Sequence, residues 1–115
     1  MKANQKISVL GIEEAGFAAD LEDAGANVSR RLRRDSDILF YAAESVRDLE
    51  RIADLRRYIS KNGAVWVVRR KGKGAALKDI DVIRAGLAAK MVDNKIASFS
   101  ATHAALRLVI RRVDR

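Results

Sequence analysis

The chain has no cysteine, no proline and a single histidine, His103. Without cysteine there is no disulfide, no thiol nucleophile and no thiolate metal site, which fits a reducing compartment. A lone histidine brings no second imidazole to a metal, and no serine-histidine-carboxylate triad is readable from spacing. Hydrophobic runs are short, and none approaches the ~20 residues needed to cross a bilayer. Met1 to Lys6 is polar and leads straight into a strand, so no signal peptide is expected. There is no repeat, linker or low-complexity segment. These absences predict one cytoplasmic domain, residues 1–115, with no membrane partner.

What is present is a chain of 115 residues, long enough to bury roughly two-thirds of its unfolded surface around one core. Its net charge is +8. Such an excess attracts nucleic acid or acidic partners at least weakly, although it also describes a soluble protein with a basic surface. Ile7 to Ile12 reads as a strand, Ala15 to Ala24 as a helix stopped by Gly25, and Val28 to Arg33 as a charged strand at a sheet edge. "ILFYAA", Ile38 to Ala43, and "AVWVV", Ala64 to Val68, are apolar throughout, as strands covered on both faces are.

Between those strands the pattern predicts a long helix from a Ser45 cap to Gly63. Asp48 completes a near capping box, and Val46, Leu49, Ile52, Ala53 and Ile59 form the buried stripe. A basic loop, "RRKGKGAA", follows. A second helix is expected from about Asp79 to Lys90, with Ile80, Ile83, Leu87 and Met91 on one face. "KIASFS" and "ALRLVIRR" then close the chain as a hairpin turning at Ala101 to Ala104.

Alternating strands and helices predict a three-layer α/β sandwich around a mostly parallel, Rossmann-like sheet. The expected order is 2-1-3-4-6-5, with strand 6 antiparallel. Only Arg34 to Asp37 separates the second strand from the third, which suits a hairpin. If the second strand is short, Arg30 to Asp37 can instead span about 26 Å at ~3.3 Å per residue and return to the other end of the sheet. The parallel arrangement is preferred.

"VLGIEEAGFAADL", residues 9 to 21, has the outline of a phosphate loop. A P-loop needs G-x-x-x-x-G-K-[ST]. Gly11 and Gly16 have the spacing, but Phe17 and Ala18 replace the lysine and hydroxyl. Glu13 occupies the second glycine position of the dinucleotide fingerprint, and Arg30 and Arg31 stand where a ribose-binding acid is expected. No cofactor is therefore expected: S-adenosylmethionine, NAD(P) and ATP should not stabilise the chain. No catalytic or metal-binding residue is singled out, and Glu44 remains unassigned.

The sharpest charge cluster is Arg69 to Gly74. In open α/β sheets ligands bind beyond the carboxyl ends of the strands where the order reverses, here between the first and third strands. The start of the Ser45 helix, the cations Arg69, Arg70, Lys71 and Lys73, and the turn with Thr102 and His103 should share that edge. They are the candidate contacts for a phosphate, sulfate or carboxylate. Glu13, Glu14 and Glu44 would oppose such an anion. His103 otherwise reads as a solvated turn residue and Trp66 as core.

In order along the chain, "VLGIEEAGFAADL", "VSRRLRRDSDILFYAAES", "NGAVWVV", "LKDIDVIRAGLAAKMVDNKI" and "ALRLVIRR" resemble a family of small bacterial proteins, domain-of-unknown-function family 3052. The likeness runs from about Ile7 to Arg112. That family tends to carry a proline where Val68 and Arg69 stand and a tryptophan where His103 stands. It implies no known activity. The layout also looks like a cut-down methyltransferase-type sheet, which ends in a parallel strand and an antiparallel one inserted beside its neighbour, although the cofactor glycine motif is missing.

These readings lead to a non-catalytic binding or interaction module with an anion-accepting crevice, for an anionic ligand or a protein partner. The alternatives are a degenerate or divergent methyltransferase-like enzyme and weak nucleic-acid binding through the basic face. Aromatic residues do not interleave with the basic loop, so base stacking is not supported. Binding to DNA or RNA is expected to be weak, indifferent to sequence and lost as salt rises, because counterion release supplies it. Titrations at several salt concentrations check this; tight or sequence-selective binding above physiological salt contradicts it.

Overall fold

The computed structural model describes residues 5–12, 17–72 and 74–114. Six strands form one sheet: β1 (Lys6–Leu10), β2 (Asn27–Ser29), β3 (Ser36–Ala42), β4 (Ile59–Arg70), β5 (Met91–Ser98) and β6 (His103–Ile110). The helices are α1 (Phe17–Asp23), α2 (Val46–Leu49), α3 (Ile52–Leu55) and α4 (Asp79–Ala88). The strand order is β2-β1-β3-β4-β6-β5. β1 to β4 run parallel, and β6 is antiparallel to both β4 and β5. This is the expected topology.

Side chains alternate across the sheet with a period of two. Leu39, Tyr41, Val65, Val67, Leu106 and Leu108 face α2, α3 and α4 in the larger core cluster. Phe40, Val68 and Ala105 face the other way, toward Leu21 of α1, in a smaller cluster. The sandwich has three layers, one of which is thin.

The link between β2 and β3 explains the parallel arrangement. β2 is only three residues long, not the six expected, so Arg30 to Asp35 is free to cross the amino-terminal end of β1. Side chains staple the crossing. Arg33 donates to the carbonyl of Ile7 at 2.9 Å and to Asn27 Oδ1 at 3.0 Å. The N–H of Lys6 donates to Asp37 at 2.9 Å. Ser36 Oγ donates to the Arg33 carbonyl at 2.6 Å and lies 2.9 Å from Ser8 Oγ, both serines being wholly buried.

The helix expected to reach Gly63 is shorter and broken. α2 and α3 are four residues each, a 3-10 turn ends at Tyr58, and Ile59 already opens β4 opposite Ser36. Gly63 lies within that strand. A Cβ there would sit 2.9 Å from the Ser36 carbonyl and 3.0 Å from that of Asp37, so glycine is required by the approach of β3 across the bulge. Leu49, Ile52 and Leu55 bury the helical stripe, whereas Val46 and Ala53 are exposed. The Ser45 cap is present: Ser45 Oγ accepts from the Asp48 N–H, and Asp48 accepts from the N–H groups of Glu44 and Ser45.

α4 also rotates away from the expected face. It buries Val82 and Gly86 and leaves Ile80 and Leu87 about half exposed (47% and 56%). Gly86 decides this. A Cβ there would come within 2.8 Å of Leu108 Cδ2, so the bare backbone lets the helix lie close to β6. Met91 is buried, but as the first residue of β5.

Two measurements check these contacts. Gly63→Ala should cost about 2 kcal/mol in urea unfolding, because backbone carbonyls cannot move aside. Gly86→Ala should stay within about 1 kcal/mol of the parent, its gain in helix propensity offsetting a shift of the Leu108 side chain. The Asp48 carboxyl is held below its ordinary value, first by the Glu44 N–H, then by Ser45 and the Arg47 charge. A depressed folded value gives stability that is complete above about pH 4 and is lost as pH falls through it. Asp48→Asn should therefore melt below the parent at neutral pH, with the gap closing in acid.

Candidate functional site

At the carboxyl edge of the sheet, where β1 and β3 leave in different directions, lies a crevice of about 350 Å³. Its floor is small: Gly11 follows β1, while Ala42 and Ala43 end β3. Gly11 has φ +75°, which favours glycine, and an added Cβ would touch the Ala42 Cβ at 3.4 Å. The end of β3 is held to β4 by the Ala43 N–H, which donates to the Val68 carbonyl at 2.9 Å.

The rim carries the chemistry. Glu44 stands on the turn after β3, which the Asp48 carboxylate fixes through the Glu44 N–H. Arg70, the last residue of β4, faces His103, the first of β6, in the antiparallel register. Phe99 and Thr102 complete the rim from the β5–β6 turn. Both Phe99 and Ser100 N–H groups donate to the His103 carbonyl at 3.0 Å, and Thr102 Oγ1 lies 2.7 Å from His103 Nδ1. The turn is tied to the basic loop by the Lys71 N–H, which donates to the Thr102 carbonyl at 2.9 Å. A neighbouring hollow of about 220 Å³ shares Ala43, Glu44 and Arg70 and is closed by Gly74 to Leu77. Glu44 and Arg70 therefore stand at the rim of both.

Of the residues expected at this edge, Arg70, Thr102 and His103 line the crevice, and so does Glu44, expected there as an opposing charge. Lys71 stands beside it, its Nζ donating to Ser98 Oγ at 2.8 Å. Arg69 turns to the opposite face of β4. Its guanidinium pairs with Asp79 at 2.6 Å and donates to the Leu77 carbonyl at 3.2 Å, which anchors the start of α4. The Ser45 hydroxyl is taken up by its own helix, and α2 is a single turn. Lys73, Glu13, Glu14 and Gly16 lie outside the described residues. His103 opens β6 and is half-buried, rather than sitting in the turn.

Sequence reasoning placed the ends of β1 and β3, at Gly11 and Ala43, beside this crevice but missed Ala42 and Phe99. Phe99 falls in the strand-like stretch "KIASFS", just past the end of β5, and nothing in that pattern says it reaches the end of β1. Near the rim, Tyr41 donates its hydroxyl to the Asp48 carbonyl at 2.8 Å, and burial pushes its ionisation upward, reinforced by the Asp48 carboxylate. It acts as a neutral strut under α2.

No protein-family model matches the chain, and no curated protein does. Solved structures do match. A TehB-like SAM-dependent methyltransferase from Corynebacterium glutamicum superposes with a TM-score of 0.74 at 10% identity, over 96% of this chain and 83% of that one. Magnesium protoporphyrin IX methyltransferase from Synechocystis, solved with bound SAM, gives 0.74 at 11% identity, over 95% and 71%. A methyltransferase of calicheamicin biosynthesis gives 0.72 at 14% identity, over 96% and 50%. At these identities the likeness is one of fold, and the chain has the Rossmann-like α/β fold of those methyltransferases.

Proposed function

We propose that this chain is a small methyltransferase-type domain whose crevice takes S-adenosylmethionine or its demethylated product. The observation that carries the reading is the crevice itself, at the carboxyl edge where β1 and β3 diverge, floored by Gly11, Ala42 and Ala43. In open α/β sheets that is where ligands bind. With the adjoining hollow, at about 350 and 220 Å³, the space suits a nucleoside-sized molecule.

The charges at the rim agree. Glu44 offers an anion to an ammonium or sulfonium, and Arg70 offers a guanidinium to a carboxylate. A zwitterionic amino-acid tail satisfies both. The missing lysine and hydroxyl of the phosphate loop exclude phosphate chemistry, but S-adenosylmethionine has no phosphate. The expectation that no cofactor binds therefore keeps its force for NAD(P) and ATP, whose phosphates would face Glu44. When bound, the ligand would supply a transferable methyl group; this chain's residues would hold and orient it.

Calorimetry and thermal shift with S-adenosylhomocysteine test the reading. Saturable binding is expected, with about 2.7 kcal/mol of added stability at one hundred times the dissociation constant. Arg70→Ala should weaken it about tenfold. No binding at millimolar concentration overturns the proposal. If inorganic phosphate binds instead and Arg70→Ala removes that binding, the crevice belongs to a non-catalytic anion-accepting module.

A further inference from the structure

The two faces of the sheet are unequally covered. α2, α3 and α4 pack on one face, while among the described residues only the seven-residue α1 packs on the other. Beside α1, over β3, β4 and β6, a shallow groove of about 550 Å³ remains open. Of the chain's three phenylalanines, two tyrosines and one tryptophan, all three phenylalanines and Trp66 line it.

The rings form a graded wall. Phe17 meets Phe40 edge-on at 5.0 Å and Phe99 at 4.9 Å, and Phe40 lies nearly parallel to Trp66, with centroids 6.5 Å apart and planes 17° apart. Phe40 is buried, but Trp66 and Phe99 stay partly open to solvent. A flat apolar surface left in water is unfavourable by roughly 25 cal/mol per Å², so one built from most of a chain's aromatic residues marks a surface that meets something.

What it meets is defined by charge. Arg107 is the only charged residue lining the groove among the described residues, and it stands directly across from Trp66 in the β4–β6 register. Among the described residues its guanidinium has no hydrogen bond and no ion pair. An aromatic floor and a guanidinium beside it form a recognition pattern for one chemical class.

We propose that this groove binds a flat aromatic carboxylate, its ring on Trp66 and its carboxylate on Arg107. Arginine receives a carboxylate through two parallel N–H donors, and the net charge of +8 favours approach of an anion. The site is separate from the adenosyl reading of the crevice and does not rest on it. The two adjoin at Phe99, which lines both.

The probe is 2-naphthoate, added to the full chain with no adenosyl ligand present. The single tryptophan gives one indole N–H signal in a nitrogen-proton correlation spectrum, so Trp66 reports directly. A saturable shift is expected, with a dissociation constant of about 1 mM or tighter for a ligand of this size. Arg107→Gln should weaken binding about tenfold, and uncharged 2-naphthamide should bind the parent about tenfold more weakly than the acid. The amide comparison needs no mutation and decides the matter if Arg107→Gln fails to fold. An unmoved indole signal, equal affinity for acid and amide, or a self-associated chain with Trp66 buried between copies overturns the proposal.

Discussion

The buried hydrogen bond between Ser8 and Ser36, 2.9 Å long at zero exposure for both residues, sits at the point on which the sheet turns. A hydroxyl removed from water without a partner is costly, so each serine needs the other, and Ser36 also needs the Arg33 carbonyl. Meeting those needs draws the chain from β2 beneath β1 and onto its far side. Once β1 lies between β2 and β3, the strand order reverses there, and the crevice at Gly11 and Ala43 follows from that reversal. The polar contact is at one end of the strands and its consequence at the other.

Basic residues in this chain serve two purposes that composition alone does not separate. Arg33 holds the crossover and Arg69 holds the start of α4; both spend their guanidinium on backbone carbonyls and carboxamide or carboxylate oxygens. Arg70 and Arg107 stand at concave surfaces instead. Adjacent residues on β4 thus have opposite roles, because a strand sends neighbouring side chains to opposite faces. A charge of +8 counts both kinds alike.

Unequal covering of the sheet links the two concave regions. Three helices shield the α2–α4 face with a continuous, mostly aliphatic cluster. Among the described residues the other face has one short helix, and its aromatic residues take the place of a fuller layer. Phe99 reaches from the β5–β6 turn to α1 and to the crevice, so the same ring borders the open groove and the carboxyl edge.

The sequence by itself pointed to the strand order and the cap at Ser45, since these depend on apolar runs, element alternation and residue spacing; it only favoured a parallel β2 over a hairpin, and the shortness of β2 settled that. Tertiary structure decided the rest. Gly63 resembled a helix stop, and only the nearness of the Ser36 and Asp37 carbonyls shows it inside a strand. Helical periodicity pointed to Ile80 and Leu87, but Gly86 against Leu108 turned α4 to another face. Trp66 read as core because its neighbours are apolar; it packs against the smaller cluster, but with no helix above it among the described residues it stays partly open. In each case the local pattern reports which side chains avoid water, while the outcome depends on how near a distant backbone comes, and that distance is written in no single stretch of sequence.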